Sequence, residues 1–421
     1  MKTNLSWKFR YTILVILSLS WIVSFMDRMM ISVAVPYIAT DFHMSPLAIG
    51  VVISAFFASY SATQIPGGFL ADIFGVRKVA TAALLWWSAF TAMTGAATTL
   101  VQLLLTRVLF GLGEGIYPAC VFKAVAEWFP PKERATANGI RQSAGPLGSA
   151  ISPLIVVAIM SVWGWRAAFY ALLIPGILIS TLVWLFVADE PSQSKWVTTE
   201  ELEEITDARC SGDPVGKRSK EFFQVFRQRI ILKYVAVIFS FDIAYWGFTT
   251  WLPTYLVRAR GFSMDQMGIA ASLPFVAGTA ASILGGWVSD RYFRKTRTVP
   301  LILAQLISAV LLFLTVSANS PTALVIFETL AGFSLNFFFT AFWALPMNTV
   351  PKEVMGVASG FINMGGQIAA FLSPILVGYL VGSAEGNYDH SFELMIASLV
   401  VSSIITSTLP GDVHILTELT S

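Results

Sequence analysis

Among the ionisable residues inside long apolar runs, where no water would solvate them, four stand out. Asp27 and Arg28 are neighbours within residues 11–38, and Arg107 and Glu114 lie within residues 100–128. A charge at the centre of a membrane helix costs about 2.5–3.5 kcal/mol on insertion scales, so such residues are paired or functional. Arg107 and Glu114 are seven apart, nearly two helical turns, so both face one side of a helix. Gly111, Gly113 and Gly115 surround Glu114 and let a partner helix or a substrate approach closely. Arginine offers a fork that stays charged and grips an anion. A carboxylate beside it can be charged or neutral, with burial and neighbouring charge deciding which. Such a set could hold a small anion and exchange a proton as the anion arrives. Static ion pairs between helices are the alternative. Static pairing does not explain why these charges crowd one half of the chain, while Asp242 is the one clear span carboxylate of the other.

Composition indicates what positions these residues. Of 421 residues, 56% are hydrophobic and 12% charged, and the mean hydropathy is +0.70. A soluble globule carries about 25% charged residues, so most of this chain's outside must face lipid. That excludes a secreted, disulfide-stapled or disordered protein. The net charge of +2 comes with no basic domain, so no nucleic-acid partner is expected. A membrane-spanning helix needs about 20 apolar residues. Runs of that kind occupy 11–38, 46–71, 79–97, 100–128, 136–160, 165–187, 230–256, 267–289, 299–316, 322–348, 354–382 and 391–409. The expected fold is therefore all-α, with twelve transmembrane helices. With loops assigned alternately to two sides, Lys and Arg divide 20 to 3, which predicts that both termini are cytoplasmic.

The chain repeats itself. Gly68-x-x-x-Asp72 returns as Gly286-x-x-x-Asp290 after 218 residues, and Pro131-Lys132-Glu133 as Pro351-Lys352-Glu353 after 220. Ser152-Pro153 returns as Ser373-Pro374 after 221. Repeats of this kind mark secondary transporters with a substrate site near the midplane. They predict two pseudo-symmetric six-helix bundles, 1–187 and 230–421, joined by a cytoplasmic linker over 188–229. His43, His390 and His414 lack metal-ligand spacing, and no nucleotide or catalytic motif is present. Neither an enzyme nor ATP-driven transport is expected, and no cofactor beyond a proton gradient.

The loop from Gly68 to Lys78, with its copy from Gly286 to Lys295, resembles the signature loop of the major facilitator superfamily, although Ile73 stands where an Arg is common. Asp72, Arg77, Asp290 and Arg291 are then expected to act in gating, as a latch without substrate contact. Further residues resemble the anion:cation symporter branch, which includes carriers of hexuronates, galactonate, glucarate and phthalate. They are Asp27-Arg28, Tyr60-x-x-x-Gln64-Ile65-Pro66-Gly67-Gly68, Arg107 with Glu114, Glu127-Trp128-Phe129-Pro130, Gly164-Trp165-Arg166-Ala167-Ala168-Phe169, Trp251-Leu252-Pro253-Thr254-Tyr255-Leu256, and Trp343 twenty before Asn363. The resemblance implies that Arg28 binds a substrate carboxylate with Arg107 close by, that Asp27 and Glu114 carry protons, and that Tyr60, Trp343 and Asn363 line the cavity. It implies a proton-coupled importer of a small organic anion in the bacterial inner membrane, expected to be a monomer. Export or exchange, and a non-transporting sensor of an organic acid, are the alternatives.

Departures from that pattern bear on the substrate. Sugar-acid carriers of the branch often place Tyr at 25, Gln at 145 and Thr at 342, where this chain has Phe25, Gly145 and Phe342; at 340 it has Thr340. Lost hydroxyl and amide groups would leave substrate hydroxyls unpaired in a dry site. An aromatic or sparsely hydroxylated carboxylate is therefore expected ahead of a hexuronate or aldonate. Gln142, which the repeat sets opposite Asn363, and less strongly Arg141 could restore polarity.

Overall fold

The computed structural model describes residues 7–210, 227–293, 296–350 and 355–409, and all the regular structure there is helical. The first half forms α1 (Phe9–Asp41), α2 (Pro46–Phe74), α3 (Val76–Ala96), α4 (Leu100–Trp128), α5 (Pro131–Ala171) and α6 (Leu173–Phe186). The second half forms α8 (Arg229–Arg258), α9 (Met264–Tyr292), α10 (Thr298–Ser317), α11 (Pro321–Thr349), α12 (Met355–Ser383) and α13 (Asp389–Ser407). Among the described residues, eleven elements are long and apolar enough to cross a membrane, one of them running over Thr136–Phe186. That element holds the fifth and sixth expected spans. Gly164 parts them with φ 79°, a conformation that glycine adopts without strain.

Local chemistry explains the helix ends. Thr99 caps α4 by accepting from the Gln102 N–H at 3.2 Å, and Ser320 caps α11 by accepting from the Ala323 N–H at 3.2 Å. Proline opens α5 and α11, where its missing N–H costs nothing. Gly75 turns α2 into α3 with φ 85°. A side chain there would strike the carboxylate of Asp189, which caps α3 by accepting from the Arg77 N–H at 2.8 Å.

The repeat extends to the packing. The helix pairs α3·α4 and α3·α6 recur as α10·α11 and α10·α13. Gly67 lies against Ile116 in the first half, and Gly285 lies against Phe337 in the second. Gly115 makes room for Tyr60, whereas in the second copy Gly278 makes room for Asn336, so the small partner has changed helix.

The compact units do not part at the polar segment alone. One holds Met1–Arg28, Ala58–Ser149 and Val162–Pro214, and the other Met29–Phe57, Ala150–Ser161 and Val215–Ser421. In the second unit, Gly50 and Pro46 of α2 lie against Pro374 and Gly378 of α12, Gly268 of α9 lies against Val157 of α5, and the Phe57 and Trp246 rings are 4.8 Å apart. Close approach at these glycines joins parts of α2 and α5 to the second unit. Polar side chains hold this unit together where lipid offers no hydrophobic drive between helices. Gln305 Nε2 donates to Ser402 Oγ at 2.7 Å, and Ser373 Oγ to the Ile243 carbonyl at 2.6 Å.

The segment expected as a linker loop is partly folded. Pro191–Gln193 form a 3-10 turn and Thr199–Cys210 form α7, while residues 211–226 lie outside the described residues. Glu201 of α7 accepts from the backbone N–H groups of Phe9 and Arg10, both at 3.0 Å, and so caps the start of α1. The buried Arg10 guanidinium pairs with Glu204 and Glu133, each at 3.1 Å, and Lys8 also pairs with Glu204. Hydrogen bonds from Arg10 and Lys8 hold the Glu204 carboxyl well below the usual carboxylate range, at about 2.

Candidate substrate and proton site

Asp27, Arg28, Arg107, Glu114 and Tyr60 all lie in the first unit, and each is at most 9% exposed. Arg28 Nε donates to Glu114 Oε1 at 2.7 Å, joining α1 to α4. Ser24, one turn earlier on α1, donates to the same oxygen. The Arg28 guanidinium lies 4.5 Å over the Tyr60 ring and 4.9 Å over the Phe25 ring. Rings hold a cation by their negative faces and leave its edge for hydrogen bonding. Asp27 points elsewhere, because adjacent helical residues diverge by about 100°. Its Oδ2 accepts from the Trp87 indole at 3.1 Å, and its Oδ1 has no hydrogen-bond partner among the described residues. Arg107 lies within electrostatic reach of both Glu114 and Asp27, and its guanidinium stacks 4.4 Å from the Phe110 ring.

The site thus contains one tight pair, Arg28 with Glu114, and Arg107 facing both Glu114 and Asp27. A guanidinium can exchange a carboxylate partner for another anion. Glu114 Oε2 also lacks a hydrogen-bond partner among the described residues. Each carboxylate therefore keeps one oxygen without a hydrogen-bond partner among the described residues.

Thr340, Trp343 and Asn363 belong to the second unit. Thr340 Oγ1 is spent on the Asn336 carbonyl of its own helix at 3.1 Å, Trp343 packs edge-on to Phe342, and Asn363 is half-buried. Gln142 is exposed in the first unit and accepts from Arg141 at 3.1 Å. In the signature loop, Asp72 pairs with Lys123 at 2.6 Å, while Arg77 Nε donates to the Trp184 carbonyl at 2.5 Å and stacks on the Trp184 ring. The two halves of the expected latch therefore hold different elements, α4 and α6. The side chains of Asp290 and Arg291 lie outside the described residues.

Asp242 is not the one clear carboxylate in the second half's spans. Glu328 of α11 is fully buried, and neither oxygen has a hydrogen-bond partner among the described residues. It was legible in principle, since an acidic residue in Val325-Ile326-Phe327-Glu328 interrupts an apolar run. The changes at 25 and 145 are not independent either. A side chain on Gly145 would come within 3.1 Å of the Phe25 ring, so the ring on α1 packs into the space left by the missing side chain on α5. Ser24 and Trp87 gave no sequence signal, since single hydroxyls and indoles are common in membrane helices.

Buried charges on helices long and apolar enough to cross a membrane mark a polytopic membrane protein. Residues 17–374 match the Major Facilitator Superfamily, and the chain belongs to that family. It is 32% identical to the Probable sulfoacetate transporter SauU of Cupriavidus necator, over 96% of each chain. It is also 29% identical to the Hexuronate transporter of Bacillus subtilis over 94% of each chain. It shares 32% identity with the Probable galactarate/D-glucarate transporter GudP of Escherichia coli, over 96% of this chain and 94% of that one. Among solved structures, a bacterial homologue of the human lysosomal transporter Spinster, inward-facing and unoccupied, gives a TM-score of 0.77 at 20% identity over 96% of each chain. The D-xylose-proton symporter gives 0.74 at 15% identity over 96% of this chain and 98% of that one. At these identities the structures speak for the fold alone.

Proposed function

We propose that the protein is a proton-coupled importer of a small, sparsely hydroxylated organic acid, working by alternating access. The observation that carries this reading is the buried Arg28–Glu114 pair at 2.7 Å. Arg28 has one fork. A substrate carboxylate that takes it displaces Glu114, and a displaced buried carboxylate takes a proton because an unpaired anion is costly there. Substrate and proton are then bound together. Asp27, beside Arg107, is the second protonation site. Tyr60 in the first half, and Trp343, Asn363 and Thr340 in the second, are the cavity residues, with Gln142 a further polar contact. Asp72, Arg77, Asp290 and Arg291 govern opening. Both termini are cytoplasmic, the membrane is a bacterial inner membrane, and the protein works as a monomer without a cofactor.

Phe25 over Gly145, and Phe342 beside Trp343, favour a substrate with few hydroxyls. The relative named for sulfoacetate, an acid without hydroxyls, supports this. Relatives named for hexuronates and aldarates support a second reading, a sugar-acid symporter. Competition uptake in proteoliposomes separates the two. Sulfoacetate, benzoate and short carboxylates should outcompete glucuronate and galactonate. Best competition by a sugar acid, with the others inert, would establish the second reading.

A further inference from the structure

Arg141 is a buried cation that the cluster around Arg28 does not use. It lies on α5 and is 2% exposed. Its guanidinium is clamped between two rings, 4.2 Å from Trp21 and 4.9 Å from Phe122. Nη2 donates to Gln142, and neither Nε nor Nη1 has a hydrogen-bond partner among the described residues. The ionisable groups acting on it electrostatically are the phenols of Tyr117 and Tyr60. The other buried arginines of this unit all have carboxylates: Arg10 has Glu133 and Glu204, Arg28 has Glu114, and Arg107 has Glu114 and Asp27. Ring faces recover only part of what a charge loses on leaving water. A guanidinium without a carboxylate is therefore compensated when an anion arrives from outside the chain.

The position of Arg141 indicates which anion. Trp21, Phe25 and Arg28 stand at i, i+4 and i+7, on one face of α1. Arg28 is 4.9 Å from the Phe25 ring, Phe25 is 5.7 Å from Trp21, and Trp21 is 4.2 Å from Arg141. Gly145, one turn after Arg141 on α5, faces the same Phe25 ring. A row of two rings thus has a guanidinium at each end. The two rings themselves offer no hydroxyl or amide to a substrate body. Such a row suits a short apolar body with an anionic group at either end.

We propose that Arg141 binds the second anionic group of a diacid whose first group is held by Arg28, so that the substrates are short dicarboxylates or sulfocarboxylates. This rests on the reading of the protein as an organic-acid carrier. Arg141 then determines specificity, and Arg28 is required for every acid.

The test is calorimetric titration of the full-length protein in detergent with succinate and sulfoacetate, and with acetate and benzoate, for wild type, Arg28→Lys, Arg141→Gln and Arg141→Lys. Loss of a charge-assisted hydrogen bond corresponds to about tenfold or more in affinity. Arg141→Gln should weaken the diacids by about that factor while moving the monoacids less than about twofold. Arg28→Lys should weaken both classes. Arg141→Lys keeps a cation in place and should retain part of the preference for diacids, which serves as the readout if the Gln variant does not fold. Equal loss of both classes in Arg141→Gln, no loss in either, or no diacid preference in Arg141→Lys overturns the proposal. Wild-type protein that binds all four acids alike also overturns it, yet leaves the carrier reading standing. Wild-type protein that binds no acid at all removes the carrier reading and this proposal with it.

Discussion

Where α4 carries Arg107, its repeat α11 carries Glu328, 221 residues later. The two halves place opposite charges at one repeat position and treat them differently. In the first unit, the charges of α1 and α4 answer one another, Arg28 with Glu114, and Arg107 with both Glu114 and Asp27. In the second, Glu328 on α11 and Asp242 on α8 have no salt bridge among the described residues. The groups beside them are aromatic instead: Trp246 and Tyr245 for Asp242, and Tyr255 for Glu328. Repeated helices therefore carry two chemistries. The repeat supplies the scaffold, and the unshared residues supply function. On the proposed reading the first half does the anion and proton chemistry.

Removing a carboxylate should separate the halves most clearly. Glu114→Ala leaves the Arg28 charge buried without its partner and should cost about 3–5 kcal/mol of stability. Glu328→Leu removes a carboxylate that has no partner to lose and should be neutral or stabilising. Thermal melts of the two variants in detergent check this, and equal destabilisation would erase the contrast. Next in size is Arg28→Lys, which trades a fork for a point charge. It should lower substrate affinity by about 1.5–3 kcal/mol, tenfold or more, measured by ligand-induced thermal shift. Unchanged affinity would take Arg28 out of the carboxylate role.

Gly145→Gln restores the amide common in sugar-acid carriers, but with Phe25 in place it should overpack α1 against α5, at about 1–3 kcal/mol. Phe25→Ala in the same chain should recover much of that loss, so a double-mutant cycle gives the coupling directly. Additive effects would show that the two positions are not packed as described. The smallest effect belongs to the brace at the start of α1. Glu204→Gln removes a partly exposed partner of Arg10 and Lys8, worth up to about 1 kcal/mol. Because the Glu204 carboxyl is held down at about 2, its contribution is complete above the ordinary carboxylate range near pH 4.3 and fades as pH falls toward 2. Melting of wild type and variant should therefore differ by a constant amount from pH 5 to 8 and converge below pH 4.

The span pattern was legible because about 20 apolar residues leave few alternatives to a membrane helix. The repeat was legible through motifs such as Ser152-Pro153 and Ser373-Pro374. Asp27, Arg28, Arg107 and Glu114 stood out because charge is rare where hydrophobicity is continuous. Which charge meets which was not legible. The choice of Glu114 rather than Asp27 by Arg28 depends on the rotation of α1 against α4. The choice of Lys123 rather than Arg77 by Asp72 depends on α2 crossing α4. Nor could the sequence reveal that α7 caps α1, since Glu201 and Phe9 are 192 residues apart.

The central claim is that charge in the first unit couples acid uptake to protons. The direct measurement is uptake of labelled sulfoacetate and succinate into proteoliposomes under an inward proton gradient, with wild type, Asp27→Asn and Glu114→Gln. The account predicts accumulation by wild type that a protonophore abolishes. It predicts none by either variant, while at least one variant still exchanges label with internal acid. Accumulation by both variants against the substrate gradient, or by wild type with the gradient collapsed, would contradict it.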